Sequence, residues 1–184
     1  WMRPMPKSLD RTEQLAALVS SGTDTATAFA LFDQLEPVCL DEMLGQWHGG
    51  GLPTDHVMDG MLEAFGWYGK TFTDPNHVHP LLFTLNGKLV SIDPKWLPIA
   101  QVSNRRLPAQ GLLAKLSLPA KFALKTGQSR AQIRMMEYRG KVSAVMIYDH
   151  LPIMDLFRKV DDNTLLGVMD LKGMQQPFFF VLYR

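Results

Sequence analysis

A chain of 184 residues, 46% apolar and 20% charged, has the size and balance of one globular domain built around a single core. Its formal net charge of +1, with no basic or acidic run, argues against a nucleic-acid surface. No apolar stretch approaches the roughly 18–20 residues that span a bilayer, and the first residues lack the apolar centre of a signal peptide.

The chain is predicted to open with two helices. Asp10 and Glu13 form a capping-box-like pair ahead of Leu15, Leu18 and Val19 on one face, and Gly22 ends the helix. Asp24 or Thr25 caps a second helix through Leu35, with Phe29, Phe32 and Leu31 or Leu35 inward, and Pro37 stops it. The short connection makes the two helices neighbours, and their apolar stripes need a sheet to cover. Met43 to Gly50 reads as a strand with Trp47 inward. Met58, Met61, Leu62 and Phe65 are spaced for one helical face, with Asp55 as candidate N-cap and Gly66 as the stop. Gly66 to Phe72 reads as a strand with Trp67, Gly69 and Thr71 on one side. Leu81–Leu85 and Lys88–Ile92 flank Asn86-Gly87, whose positive φ angles suit a type I′ hairpin turn.

Prolines at 94, 98, 108 and 119 break up the next stretch, which reads as a short helix near Leu97 to Asn104 within loop. Five strands then follow: Ala131–Arg139, Lys141–His150, Ile153–Val160, Thr164–Leu171 and Phe178–Tyr183, with turns at Gly140, Asp161-Asp162-Asn163 and Gly173. A meander of this spacing indicates an antiparallel sheet that curls or closes. The expected architecture is α+β: N-terminal helices packed on a strongly curved antiparallel sheet or barrel that encloses an apolar pocket, the helices crossing its mouth. The whole chain, 1–184, reads as one domain, since neither half looks able to bury its own core.

The stretch from Met43 to Phe83 holds two of the four tryptophans and four of the five histidines. It contains Gly45-Gln46-Trp47-His48-Gly49, Thr54-Asp55-His56, Met58-Asp59-Gly60, Gly66-Trp67-Tyr68-Gly69-Lys70 and His79-Pro80-Leu81-Leu82-Phe83. These motifs resemble the GXWXG family, over about residues 37–95. From about 120 to 184 the chain resembles the domain of unknown function that usually follows it. That likeness rests on Arg139-Gly140-Lys141, Tyr148-Asp149-His150-Leu151-Pro152-Ile153-Met154-Asp155, Phe157-Arg158 and Met169-Asp170-Leu171-Lys172-Gly173. One activity associated with the two-part arrangement is bacterial opening of both rings of α-pinene oxide, a terpene epoxide, without any cofactor. The resemblance implies that activity; composition and periodicity do not.

Ring opening of an epoxide needs a proton donor at the oxygen and an acceptor for the proton that leaves. Tyr148, Asp149, His150 and Asp155 offer a phenol, carboxyls and an imidazole within eight residues. Alternation puts Val142, Ala144, Met146 and Tyr148 on one, inward, face. Asp155 follows the Pro152 bend among apolar neighbours, so its carboxyl is a candidate for a raised pKa, or for an ion pair with Arg158 or Lys172. His56 and Asp59, three apart, can meet on one face with Asp59 orienting the imidazole; the alternative is helix capping by Asp55 with His56 exposed. Trp47, Phe65, Trp67 and Met146 are candidate walls of a substrate pocket, with Tyr68 and His79 as candidate contacts.

His77 and His79 form an H-x-H pair that His48 or His150 could complete as metal ligands, but no H-E-x-x-H or paired cysteines support it. The reading therefore takes no metal and no cofactor. The lone Cys39 cannot form an internal disulfide, which fits a cytoplasmic protein. No G-x-S-x-G or G-x-G-x-x-G motif occurs. The expectation is a cofactor-independent lyase or isomerase acting on a small hydrophobic epoxide by acid–base catalysis, with no nucleic-acid partner, no membrane span and a homodimer allowed. A non-catalytic carrier of a hydrophobic ligand in a lipocalin-like cavity is the alternative.

Overall fold

The computed structural model of the protein describes residues 10–96 and 124–184. The helix expected near Leu97 to Asn104 lies outside them. Helix α1 is Arg11–Ser21 and α2 is Thr25–Gln34. Asp24 caps α2 by accepting the Thr27 N–H at 2.8 Å, whereas Asp10 makes no side-chain cap, so the expected box with Glu13 does not form. A single helical turn, α3 (Leu40–Met43), precedes strand β1 (Gly45–Gly51), so Met43 belongs to a helix rather than to the strand.

The helix expected from Met58 shrinks to one turn, α4 (Met61–Ala64). The reason is local. The Asp59 carboxylate accepts the backbone N–H groups of Thr54 and His56 at 2.9 and 2.8 Å, which folds the chain into a tight loop ahead of the helix. Asp55 has φ +61° and sits inside that loop, not at a helix start.

The strands β2 (Trp67–Asp74), β3 (His77–Leu85), β4 (Lys88–Ser91), β5 (Ala131–Tyr138), β6 (Lys141–Tyr148), β7 (Ile153–Asp161), β8 (Thr164–Leu171) and β9 (Phe178–Tyr183) complete the sheet. Their order is β2-β1-β9-β8-β7-β6-β5-β3-β4, and β2 also pairs with β3. All the pairings are antiparallel. Eight strands thus close into a barrel, with β4 added as the second arm of the Asn86-Gly87 hairpin. Both turn residues have positive φ, as a type I′ turn requires. Closure joins the two parts of the sequence, since β1 pairs with β9 and β3 with β5.

Strand alternation sorts the apolar residues into two cores. One fills the barrel: Trp47, Trp67, Phe72, Ile133, Met146, Tyr148, Phe157 and Phe180 among others. The second lies outside it, where Leu15 of α1 and Ala28, Leu31 and Phe32 of α2 meet Val145, Leu156, Leu166, Phe179 and Val181. The helices therefore cover the outer wall formed by β6 to β9, not the barrel's mouth as the sequence reading had it. Arg158 is buried at this outer layer, with its guanidinium 4.8 Å from the Phe32 ring and donating to the Tyr138 carbonyl at 2.7 Å.

Two glycines set how closely β1 and β2 approach. A Cβ on Gly49 would overlap the six-membered ring of Trp67, and one on Gly69 (φ +148°) would overlap the carbonyl oxygen of Trp47. Gly49 thus leaves the space that the Trp67 ring occupies, and Gly69 the space for the Trp47 carbonyl. Gly49→Ala is expected to cost about 1–3 kcal/mol through displacement of Trp67. Urea unfolding followed by circular dichroism checks this; an unchanged midpoint would contradict it.

Candidate active site inside the barrel

A strand interior made of alternating side chains should present only apolar groups to a barrel core. β2 breaks that rule. Its register against β3 shifts on either side of Gly69. The bulge reverses the phase of alternation, so Lys70 turns inward beside Trp67 and Phe72. Opposite Trp47 in the β1 pairing, Lys70 is only 2% exposed.

The Lys70 Nζ lies 2.8 Å from Asp155 Oδ2, with the two side chains 3% and 1% exposed. Nζ also donates to the Pro80 carbonyl at 3.1 Å. An ammonium has three N–H bonds, so one is left over among the described residues. Nζ faces the rings of Phe180, Trp67 and Tyr148, at 5.0, 5.7 and 5.9 Å from their centroids. Asp155 stands on β7 between Met146 of β6 and Met169 of β8. Burial pushes its pKa up, while the Lys70 charge and hydrogen bonds from Lys70 and Tyr148 pull it back. Burial, together with the negative charge of Asp155, raises the Tyr148 phenol well above its ordinary value, so Tyr148 stays a neutral donor. Asp155 Oδ1 and Trp67 Nε1 are buried with no hydrogen-bond partner among the described residues.

This constellation unites some of the sequence candidates and separates others. Tyr148, Asp155, Trp67 and Met146 share the barrel interior. Trp47 is inside too, its indole N–H donating to the Met43 carbonyl at 2.7 Å, and Phe65 packs against the same core. Near Trp47 a half-open crevice of about 190 Å³ is rimmed by Glu42, Lys159, Asp161, Asp162 and Arg184. Asp149 and His150 are exposed in the turn after β6, so the Tyr148-Asp149-His150 run divides. Tyr68 faces outward, accepting from Gln46 Nε2 at 3.0 Å and meeting the His48 ring edge-on. His79 is half-buried against Ser91, at 3.0 Å, and exposed His77 pairs with Asp74. Cys39 is exposed.

His56 and Asp59 do meet, but through the backbone. His56 Nδ1 accepts the Met58 N–H at 3.1 Å, which leaves Nε2 protonated and donating to the Gln176 carbonyl at 3.1 Å. The ring tilts against Phe178 at 5.4 Å, and Phe178 stacks on Phe180. Two backbone groups therefore fix the neutral tautomer, and burial lowers the pKa of His56.

Lys70 is the functional candidate that the sequence reading passed over. Strict alternation put Trp67, Gly69 and Thr71 on one face and left Lys70 beside Tyr68. A glycine inside a strand signals a bulge, and that signal would have turned Lys70 inward. The partner of Asp155 is likewise Lys70, not Arg158, which points to the opposite side of β7, or Lys172.

Residues 30–87 match the GXWXG protein family, and residues 129–184 match Domain of unknown function (DUF4334). A crystal structure of a protein from Thermomonospora curvata is 36% identical and superposes with a TM-score of 0.68, over 96% of this chain and 99% of that one. The chain belongs to the same family as that protein. The GXWXG and DUF4334 segments thus build one barrel together, β1 to β3 from the first and β5 to β9 from the second. No curated protein matches the chain. Among the described residues no helix is long and apolar enough to cross a membrane, and no three potential metal ligands cluster.

The fixed tautomer of His56 has a pH consequence. Its folded-state pKa lies below the ordinary 6.5, so the unfolded chain takes up the proton first. The stability this gives is present above pH 6.5 and is lost as pH falls through the lowered value. His56→Asn keeps an acceptor for the Met58 N–H but does not titrate. Its unfolding free energy should therefore fall less than that of wild type between about pH 7.5 and about pH 5. An equal fall in unfolding free energy for wild type and variant, read from urea titrations at the two pH values, would contradict the assignment.

Proposed function

We propose that the barrel interior isomerises a small hydrophobic epoxide, with a terpene epoxide such as α-pinene oxide as substrate, and that it does so without a cofactor. The observation that carries the reading is the Lys70–Asp155 pair at 2.8 Å, closed off among aromatic and methionine side chains. A buried ion pair is a poor source of stability, since apolar replacements of similar volume often do as well or better. Its presence is better accounted for by use.

The pair supplies both halves of the chemistry. The spare N–H of Lys70 donates its proton to the epoxide oxygen, assisted by the Tyr148 hydroxyl. Cleavage at the more substituted carbon leaves a tertiary cation. The faces of Trp67 and Phe180, which already flank the Lys70 ammonium, stabilise such a charge by up to about 2 kcal/mol when desolvated. An apolar lining that excludes water prevents capture of the cation as a diol. The strained neighbouring ring fragments, and Asp155 takes the proton that leaves. An aldehyde isomeric with the substrate results. Transfer of that proton from Asp155 back to Lys70, across their hydrogen bond, restores the starting state, so atoms and charge balance with no co-reactant.

Purified protein dialysed against a chelator should convert α-pinene oxide to an isomeric aldehyde, read by gas chromatography with mass detection. Asp155→Asn, Tyr148→Phe and Lys70→Met should each lower the rate, by on the order of 10²-fold or more for the residue that transfers the proton. Asp149→Asn, in the exposed turn, should keep the wild-type rate. Folded Asp155→Asn and Lys70→Met proteins with wild-type turnover would overturn the assignment. Stoichiometric binding of the epoxide without turnover would favour the carrier instead. Because the cation forms against a carboxylate and thioethers, activity should also decay with the number of turnovers rather than with time, and leave substrate mass on the protein.

A further inference from the structure

We propose that Lys70 is also a covalent capture site for small hydrophobic aldehydes, which its amine binds as an imine inside the barrel. The inference draws on the preceding reading only for the origin of the aldehyde; the chemistry of the site stands on its own geometry. Three features meet at Lys70. Its amine is removed from water, at 2% exposure, and lies among the rings of Phe180, Trp67 and Tyr148, a setting that suits an apolar carbonyl compound. A carboxylate touches Nζ at 2.8 Å. A neutral phenol, Tyr148, lines the same interior, its ring centroid 5.9 Å from Nζ. Amine, carboxyl and phenol are the groups that imine formation needs: a nucleophile, a proton shuttle and a donor for the oxygen.

The steps balance within the site. Proton transfer from Lys70 to Asp155 turns the ion pair into a neutral amine and a neutral acid, an exchange that burial of the carboxyl favours. The amine lone pair attacks the aldehyde carbon as the carbonyl oxygen takes up a proton from Asp155. The resulting carbinolamine loses its hydroxyl as water once that oxygen is protonated again, the proton coming from the nitrogen by way of Asp155. One amine and one aldehyde give one imine and one water, with no oxidant or reductant. The aromatic surround that excludes water from an epoxide-derived cation would also slow hydrolysis of the imine.

The test uses the intact protein, an added aldehyde (citronellal) and sodium cyanoborohydride, which reduces the imine to a stable secondary amine. With citronellal limiting, peptide mapping by mass spectrometry should find the adduct on the peptide containing Lys70 ahead of every other lysine. Lys70→Arg keeps a cation opposite Asp155 and should lose that adduct. Adducts confined to exposed lysines, or an unmodified protein, would overturn the proposal, and wild-type mapping decides this even if the variant folds poorly. No epoxide is present, so failure here leaves epoxide ring opening untouched. A protein inactive on epoxides that still captures citronellal at Lys70 would support the capture site and reject the other reading.

Discussion

The Lys70–Asp155 contact is the constraint around which the barrel interior is arranged. Each partner alone would be an uncompensated charge away from water, a situation worth several kcal/mol against folding. Together they require β2 and β7, which are not neighbours in the sheet, to stay at fixed height across the barrel. The Pro80 carbonyl adds a third point on β3. Around these polar atoms the lining is aromatic and aliphatic, so the electrostatic interactions among them are little screened.

That pair depends in turn on the glycines and tryptophans of the N-terminal half. Gly69 gives β2 its bulge and lets the strand pass against the Trp47 carbonyl; the bulge is what turns Lys70 inward. Gly49 leaves space for Trp67, one of the three rings facing the Lys70 ammonium. The C-terminal half supplies Tyr148, Asp155 and Phe180, from β6, β7 and β9. Neither segment holds the site alone. A shared barrel explains why two sequence segments of separate description occur in one chain and extend together over the Thermomonospora curvata protein.

Much of the fold was legible where a physical signal was local. Asn86-Gly87 specified its hairpin through backbone angles, and the alternation from Ala131 to Tyr183 located five strands to within two residues. Asp155 stood out because a carboxyl among apolar neighbours needs a reason. What was not legible depended on long-range geometry. Met58 to Phe65 has helical spacing, yet the Asp59 carboxylate holds the preceding backbone in a loop and leaves one turn. The helices have apolar stripes, but only the closed barrel shows that these cover its outside. The inward turn of Lys70 depends on a bulge one residue away, and a one-residue change of phase reverses every assignment along a strand.

The most direct measurement replaces both members of the pair with apolar residues of similar length, Lys70→Met with Asp155→Leu, and follows stability and epoxide turnover in the single and double variants. If the pair is there for chemistry, each single variant loses about 3–5 kcal/mol, the double variant recovers most of it, and turnover of α-pinene oxide is absent from all three. A double variant that still turns over the epoxide, or whose loss of stability equals the sum of the two singles, would contradict the account.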